Sequence, residues 1–358
     1  MLKKALIIRF GSLGDVILTT PVTRAIKEKY NDCEVHVLVK EEFAEVFKDS
    51  PYVDKIIKFD IRKGLSFLES FKELIKLCKE INENDYSVVI DLHRNLRSFF
   101  IRLYSNTERR LCYKKAALQR RLIVGLHLSA EIFKDLPHTV DKYLNTLKSI
   151  GIDSADRIPF IYLSTDNEKF ADDFFKENAI KKGAAVFAIS PGAKHKSKMY
   201  PKEKFVNLIN MITDKLNAHV ILVGSKADKE IIGEIKASIK NSDKVSSLMS
   251  ATIKESAAVI KRCDKLITND SGPMHIAVAV GTPVVAIFGP TDKRFGFYPL
   301  SEKDVVLTMN YDCSPCSLHG KKECVKYNYK CLNDITEERI FKELKGQNKL
   351  TFVIKKCY

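Results

Sequence analysis

The 358-residue sequence has no tryptophan and is short of acidic side chains: 45 Asp and Glu stand against 60 Lys and Arg, a formal net charge of +15. A cationic excess of this size favours anionic partners: nucleic acid, an acidic membrane surface or a phosphorylated substrate. Long apolar runs are missing as well. The run 5–8 is too short for the core of a secretory signal, and Arg9 and Gly11 follow it. The least polar stretch, 276–289, contains Gly281 and Pro283 and falls short of the ~20 residues a spanning helix needs. A soluble, cytoplasmic protein is expected, able to touch a membrane from its inner face.

Several chemical signatures are also lacking. There is no Gly-x-Gly-x-x-Gly fingerprint, no Gly-x-x-x-x-Gly-Lys-Ser/Thr loop and no Gly-x-Ser-x-Gly elbow. Nicotinamide and flavin enzymes, P-loop NTPases and α/β-hydrolases are thereby disfavoured. No Asp-x-Asp pair occurs, which removes the usual carboxylate clamp for a divalent ion on a nucleotide diphosphate. Of the features that mark a nucleic-acid binder only the positive charge is present, so a nucleic-acid partner is not expected.

What is present reads as an α/β protein. Short apolar runs at 5–8, 35–39 and 87–92 alternate with helical patterns at 15–30 and 67–81. The rhythm restarts after about residue 180, with strand patterns at 184–189, 219–223, 266–268 and 284–288 and helical ones between them. Such alternation predicts βαβ units and mostly parallel sheets. The length suits two domains. A stretch around 153–166 with Pro159 and no sustained periodicity serves as the linker, which gives an N-terminal domain 1–160 and a C-terminal domain 161–358. The last helix is expected to pack back on the N-terminal domain.

In open α/β sheets ligands bind beyond the carboxyl ends of strands, so the turns after strands are the places to look. The first is Arg9-Phe10-Gly11-Ser12-Leu13-Gly14-Asp15. Its glycines permit a tight turn; Asp15 is either a helix cap or a general base. The second is Ser190-Pro191-Gly192-Ala193, followed by Lys194, Lys196 and Lys198. It is either a solvated basic loop or a set of point charges for a diphosphate. The third, 268–277, carries Asp270, Ser271, Gly272 and His275 where a strand meets a helix, with Gly289-Pro290-Thr291 after the next strand. Free N–H groups at a helix N-terminus attract anions, whereas a lone His at such a place is more often structural. Basic side chains also cluster: nine Lys or Arg and one acid, Glu108, lie between His93 and Arg121. Finally, Cys313, Cys316, Cys324 and Cys331 fall within nineteen residues. Their spacing resembles a zinc site, but the later separations are unusual for a small zinc module. They read first as reduced structural cysteines, with zinc as the alternative.

Taken together these residues resemble glycosyltransferase family 9, the ADP-heptose:lipopolysaccharide heptosyltransferases. The blocks that carry the likeness are 9–17, 91–98, 191–201 and 269–291. The enzyme that adds the second heptose is resembled most, with those adding the first or third left open. The resemblance implies a GT-B architecture, two Rossmann-like parallel-sheet domains facing across a cleft, with the donor on the C-terminal one. It implies an inverting transfer of heptose from ADP-heptose to the lipopolysaccharide inner core (Kdo-lipid A or its heptosylated form), with no metal or cofactor required. On that pattern Asp15 is the catalytic base. Lys198, Ala193, Lys194, Asp270, Ser271, Gly272 and His275 hold the donor diphosphate, and Asp228 holds the ribose. Arg9, Ser12, Gly14, Arg94, Arg97 and Arg120 are candidates for the anionic acceptor, which would lie at the inner membrane of a Gram-negative cell. One departure stands out: Tyr200 occupies a position where the family often has Trp. Alternatives are another GT-B glycosyltransferase with a different sugar or acceptor, a nucleotide-sugar isomerase, and a non-catalytic nucleotide-binding protein.

Overall fold

The structure, a computed structural model, describes residues 2–59, 67–115, 117–125, 136–309, 311–321, 323–324 and 327–345. The chain divides into two compact units, Met1–Lys115 with Thr139–Tyr162, and Ala116–His138 with Leu163–Tyr358.

Among the described residues the first unit holds strands β1 (Lys4–Ile8), β2 (Glu34–Val39), β3 (Lys55–Lys58), β4 (Val88–Asp91) and β5 (Arg109–Cys112). All pair in parallel, in the order β3-β2-β1-β4-β5. The central strands β1 and β4 are buried almost throughout, and a parallel strand covered on both faces reads as a continuous apolar run. The edge strand β5, Arg-Arg-Leu-Cys, exposes both arginines and carries no apolar pattern from which to predict it.

The helices in chain order are α1 (Leu13–Ile17), α2 (Thr20–Lys29), α3 (Phe67–Glu83), α4 (Leu96–Tyr104), α5 (Ala117–Gly125) and α6 (Thr139–Leu144); α5 groups with the second unit. The single helix expected over 15–30 is in fact two. Pro21 occupies the first turn of α2, where its missing N–H costs nothing, whereas inside a longer helix it would break the ladder.

The second unit contains α7 (Thr165–Glu177), β6 (Val186–Ser190), α8 (Lys202–Lys215), β7 (His219–Gly224), α9 (Lys229–Ser238), β8 (Val245–Met249), α10 (Ile253–Lys261), β9 (Lys265–Asn269), α11 (Gly272–Val280), β10 (Val284–Ile287), β11 (Val305–Leu307), α12 (Lys330–Asn333) and α13 (Glu337–Lys345). Its described strands form a parallel sheet in the order β11-β10-β9-β6-β7-β8. Phe205, Leu208, Ile209 and Ile212 of α8 recur at helical spacing and are buried against Phe187, Ile189 and Leu222 of the sheet. Burying side chains of this size stabilises by roughly 1.5–3 kcal/mol each. The last described helix, α13, packs on α8 of this same unit. The expectation of a last helix returning to the N-terminal domain falls, for residues 346–358, outside the described residues.

Each sheet has one point where the chain reverses its direction of growth, between β1 and β4 in the first and between β6 and β9 in the second. Register sets Ile8 beside Asp91 and Ser190 beside Thr268. The turns leaving those strand pairs therefore lie side by side, which is where such sheets bind ligands.

Candidate active site

In the first unit the β1–α1 turn folds around a buried arginine. Arg9 Nη2 lies 2.7 Å from Asp15 Oδ1, and Nη1 donates to the Leu92 carbonyl after β4 at 2.5 Å. The other Asp15 oxygen accepts from Ser12 Oγ at 2.9 Å and Ser12 N at 3.3 Å. Burial disfavours the Arg9 charge, but Asp15, Tyr143 and Tyr113 outweigh it and hold the guanidinium more firmly protonated than usual. An adjacent guanidinium favours an ionised carboxylate, the form a general base needs. Asp15 keeps 19% of its side chain exposed, so both the helix-capping role and the basic role are geometrically open to it. Gly11 is required by close approach: a Cβ there would lie 2.7 Å from the Phe43 ring.

The Arg9 guanidinium is thus turned inward onto Asp15 and Leu92. Ser12 is exposed at the turn and Gly14 is buried. Arg94 and Arg97 are exposed just beyond β4. Arg94 sits at φ 53°, with its N–H donating to Asp91 Oδ1 at 2.8 Å. Arg120 is buried on α5, its guanidinium 5.6 Å from the centre of the Phe297 ring, and groups with the second unit.

His93 was not among the expected site residues, yet it stands beside this turn. Its ring meets Phe10 edge-on at 5.1 Å, and its Nδ1 is buried with no hydrogen-bond partner among the described residues. Burial, then the neighbouring Arg9 charge, lowers its pKa to about 4 against the opposing pull of Asp15. A neutral imidazole is thus kept next to the ion pair. The signal available in the sequence was its place two residues past the last residue of β4.

In the second unit the turns after β6, β9 and β10 converge on one carboxylate. Lys198 Nζ lies 2.6 Å from Asp270 Oδ2, and Thr291 Oγ1 donates to the same oxygen at 2.7 Å. Asn269 fastens the turns together: its amide donates to the Pro191 carbonyl at 2.8 Å and its Oδ1 accepts from Tyr200 N at 3.0 Å. Tyr200 itself is buried and donates to the Ile335 carbonyl, so this aromatic is a core residue of the turn. Ser271 is the N-cap of α11 and Gly272 its first residue; His275 is buried one turn in. Ala193 is half-buried and Lys194 exposed.

Asp228 is drawn into the same corner. Its Oδ2 accepts from Ser225 N at 2.8 Å and Ser225 Oγ at 2.7 Å, and a Cβ at Gly192 would fall on its carboxylate. A lysine, a helix N-terminus and a carboxylate beside a glycine turn are thus gathered at the reversal point of this sheet. That combination suits a diphosphate with an attached ribose.

The four cysteines line one cavity of about 20 Å³, space for about one water. All four are thiols. The Cys331 thiol is pushed up to about 12, by burial first and then by the sulfurs of Cys316, Cys313 and Cys324. Among the described residues no three His, Cys, Asp or Glu side chains stand together as a metal-ligand set. No described helix is long and apolar enough to cross a membrane.

The chain is similar to lipooligosaccharide heptosyltransferase 2 of Haemophilus influenzae, 27% identical over 314 residues that cover 85% of this chain and 88% of the relative. It is also similar to lipopolysaccharide heptosyltransferase 3 of Escherichia coli K12, 24% identical over 79% of this chain and 81% of the relative. Among solved structures, a family 9 glycosyl transferase from Veillonella parvula superposes with a TM-score of 0.78 at 24% identity, over 95% of each chain. The E. coli ADP-heptose lps heptosyltransferase II does so with 0.72 at 22% identity, over 95% of this chain and 97% of that one. These likenesses show the GT-B fold, with its two Rossmann-like parallel sheets. The model of glycosyltransferase family 9 (heptosyltransferase) matches residues 74–328, most of the chain, and the protein belongs to that family and is a glycosyltransferase.

Proposed function

We propose that this glycosyltransferase moves a heptose from ADP-heptose to the inner core of lipopolysaccharide, either Kdo-lipid A or the same acceptor already carrying one heptose. The observation that carries the donor half is the pairing of Lys198 with Asp270 beside the α11 N-terminus, at the reversal point of the second sheet. A diphosphate entering there exchanges the Asp270 contact for its own charge, with backbone N–H groups and the helix dipole in support. The relatives in lipopolysaccharide synthesis support the acceptor half, as does the excess of basic over acidic residues.

In the proposed reaction Asp15 takes the proton of the acceptor hydroxyl as its oxygen attacks the anomeric carbon. The new bond forms on the face opposite the departing diphosphate, the old carbon–oxygen bond breaks, and the configuration inverts. ADP leaves with the bonding pair, its charge met by Lys198. No metal is needed for this step, because the lysine and the helix N-terminus supply the positive potential.

The experiment is transfer from ADP-heptose to each of the two acceptors, with Asp15→Asn run beside the parent chain. Transfer to one acceptor, lost in the variant while ADP-heptose still binds, is the expected result. Full activity in the variant rules out Asp15 as the base, and no transfer to either acceptor rules out the proposed substrates.

A further inference from the structure

Helix α4 turns the wrong face to water. Its sequence, Leu-Arg-Ser-Phe-Phe-Ile-Arg-Leu-Tyr, buries Ser98 and Ile101 against the first unit. At about 100° per residue, the opposite side is then formed by Leu96, Phe99, Leu103 and Tyr104, with Phe100 beside them packed partly on the core. Leu96 is 87% exposed, Leu103 57% and Phe99 50%. Tyr104 stacks on Phe100 at 5.4 Å, and Phe71 of the neighbouring helix α3 meets Phe100 edge-on at 5.6 Å. Five of the nine exposed large apolar side chains among the described residues lie on these two helices. A contiguous patch of this kind marks a contact surface, whereas single exposed apolar residues are ordinary.

The margins of the patch identify what covers it. Arg97 and Arg102 project on opposite sides of the apolar face: Arg97 is exposed, while the Arg102 guanidinium lies over the Phe99 ring at 5.5 Å and its Nε stands 3.8 Å from the buried Asp91 carboxylate. Seven Lys or Arg fall between His93 and Lys115, against the single acid Glu108, and α4 itself carries no acid. An apolar strip edged by arginines matches the boundary between acyl chains and anionic headgroups, where long cationic side chains reach the headgroups while the apolar face is immersed. A second copy of the chain is a poorer fit, because a two-fold contact through this face offers the exposed Arg97 of each copy only a helix that carries no acid.

We infer that α4, with Phe71 beside it, docks the first unit on an anionic lipid surface. The inference concerns attachment and does not depend on which sugar is transferred. The full-length chain without substrate is floated with vesicles of phosphatidylglycerol and phosphatidylethanolamine, and with vesicles of neutral phosphatidylcholine. The parent chain is expected to float with the anionic vesicles and to be released by salt. The variant Leu96→Ser/Phe99→Ser/Leu103→Ser should lose at least tenfold in partitioning. Arg97→Gln should lose about fivefold, the share of one cation near an anionic surface. Because the three apolar positions are exposed, circular dichroism and thermal unfolding of the triple variant should match the parent. Failure of the parent chain to float overturns the inference. So does equal floating of the triple variant, or a parent dimer that the triple variant converts to a monomer.

Discussion

Arg9 and Asp15 meet at 2.7 Å across the β1–α1 turn, and the same guanidinium reaches the Leu92 carbonyl beyond β4. The carboxylate is thereby tied to two neighbouring strands and not to its own short helix alone. A planar fork can hold both contacts at once; a single ammonium cannot. Arg9→Lys should therefore keep the charge but let Asp15 drift, with kcat falling by 10- to 100-fold, as roughly 1 Å of misplacement does. KM for the donor should not move. Arg9→Met should in addition destabilise the fold by about 3 kcal/mol, because it strands a partly buried carboxylate. Steady-state kinetics and denaturant unfolding of the two variants check this, and an Arg9→Lys enzyme with parental kcat removes the positioning role.

Gly192 and Asp228 predict a second coupling. A Cβ at position 192 would fall on the Asp228 carboxylate, which Ser225 holds by two hydrogen bonds. Gly192→Ala should cost about 1–3 kcal/mol of stability, the range for overpacking, and should raise KM for the donor. In an Asp228→Ala background the same substitution should cost less than half as much. Additive losses in the double-mutant cycle would mean that the two positions do not press on each other.

The pKa of His93 gives a pH dependence with a definite sign. Its value in the folded protein is lowered to about 4 from an ordinary 6.5, so between those values the unfolded chain binds the extra proton. The contribution of His93 to stability is therefore complete above about pH 6.5 and is lost as the pH falls towards 4. Urea midpoints at pH 7.5 and pH 5 should drop further for the parent than for His93→Gln. Equal drops would mean that His93 is not held neutral.

The legible parts of the fold were those whose physics is local. The strands β1, β4, β6 and β7 stand out because burial on both faces makes each a nearly continuous apolar run. The edge strands β3 and β5, Lys-Ile-Ile-Lys and Arg-Arg-Leu-Cys, carry no such pattern. The break between α1 and α2 was written in Pro21, but the helical periodicity on either side masked it. At the sites, the turns bearing Asp15, Lys198 and Asp270 could be found because glycines and N-caps mark them. The inward turn of Arg9 could not, since it depends on a carbonyl 83 residues away. Nor could the placement of Arg120 over Phe297, because the two lie 177 residues apart along the chain.

Lys198 offers the sharpest test of metal-free chemistry. Its Nζ and the Thr291 hydroxyl share one oxygen of Asp270, so removing the lysine leaves that carboxylate beside the proposed diphosphate position without its lysine partner. Lys198→Met should raise KM for ADP-heptose by on the order of 100-fold, within the 2–5 kcal/mol typical of truncating a buried charge pair. Lys198→Met/Asp270→Asn should recover part of the loss, because the repelling charge goes with the attracting one. Chelation by EDTA should leave the parent enzyme unaffected, and added Mg²⁺ should not rescue Lys198→Met. If EDTA abolishes transfer and a divalent ion restores it, the leaving diphosphate is neutralised by a metal, and Lys198 is reduced to a partner of Asp270.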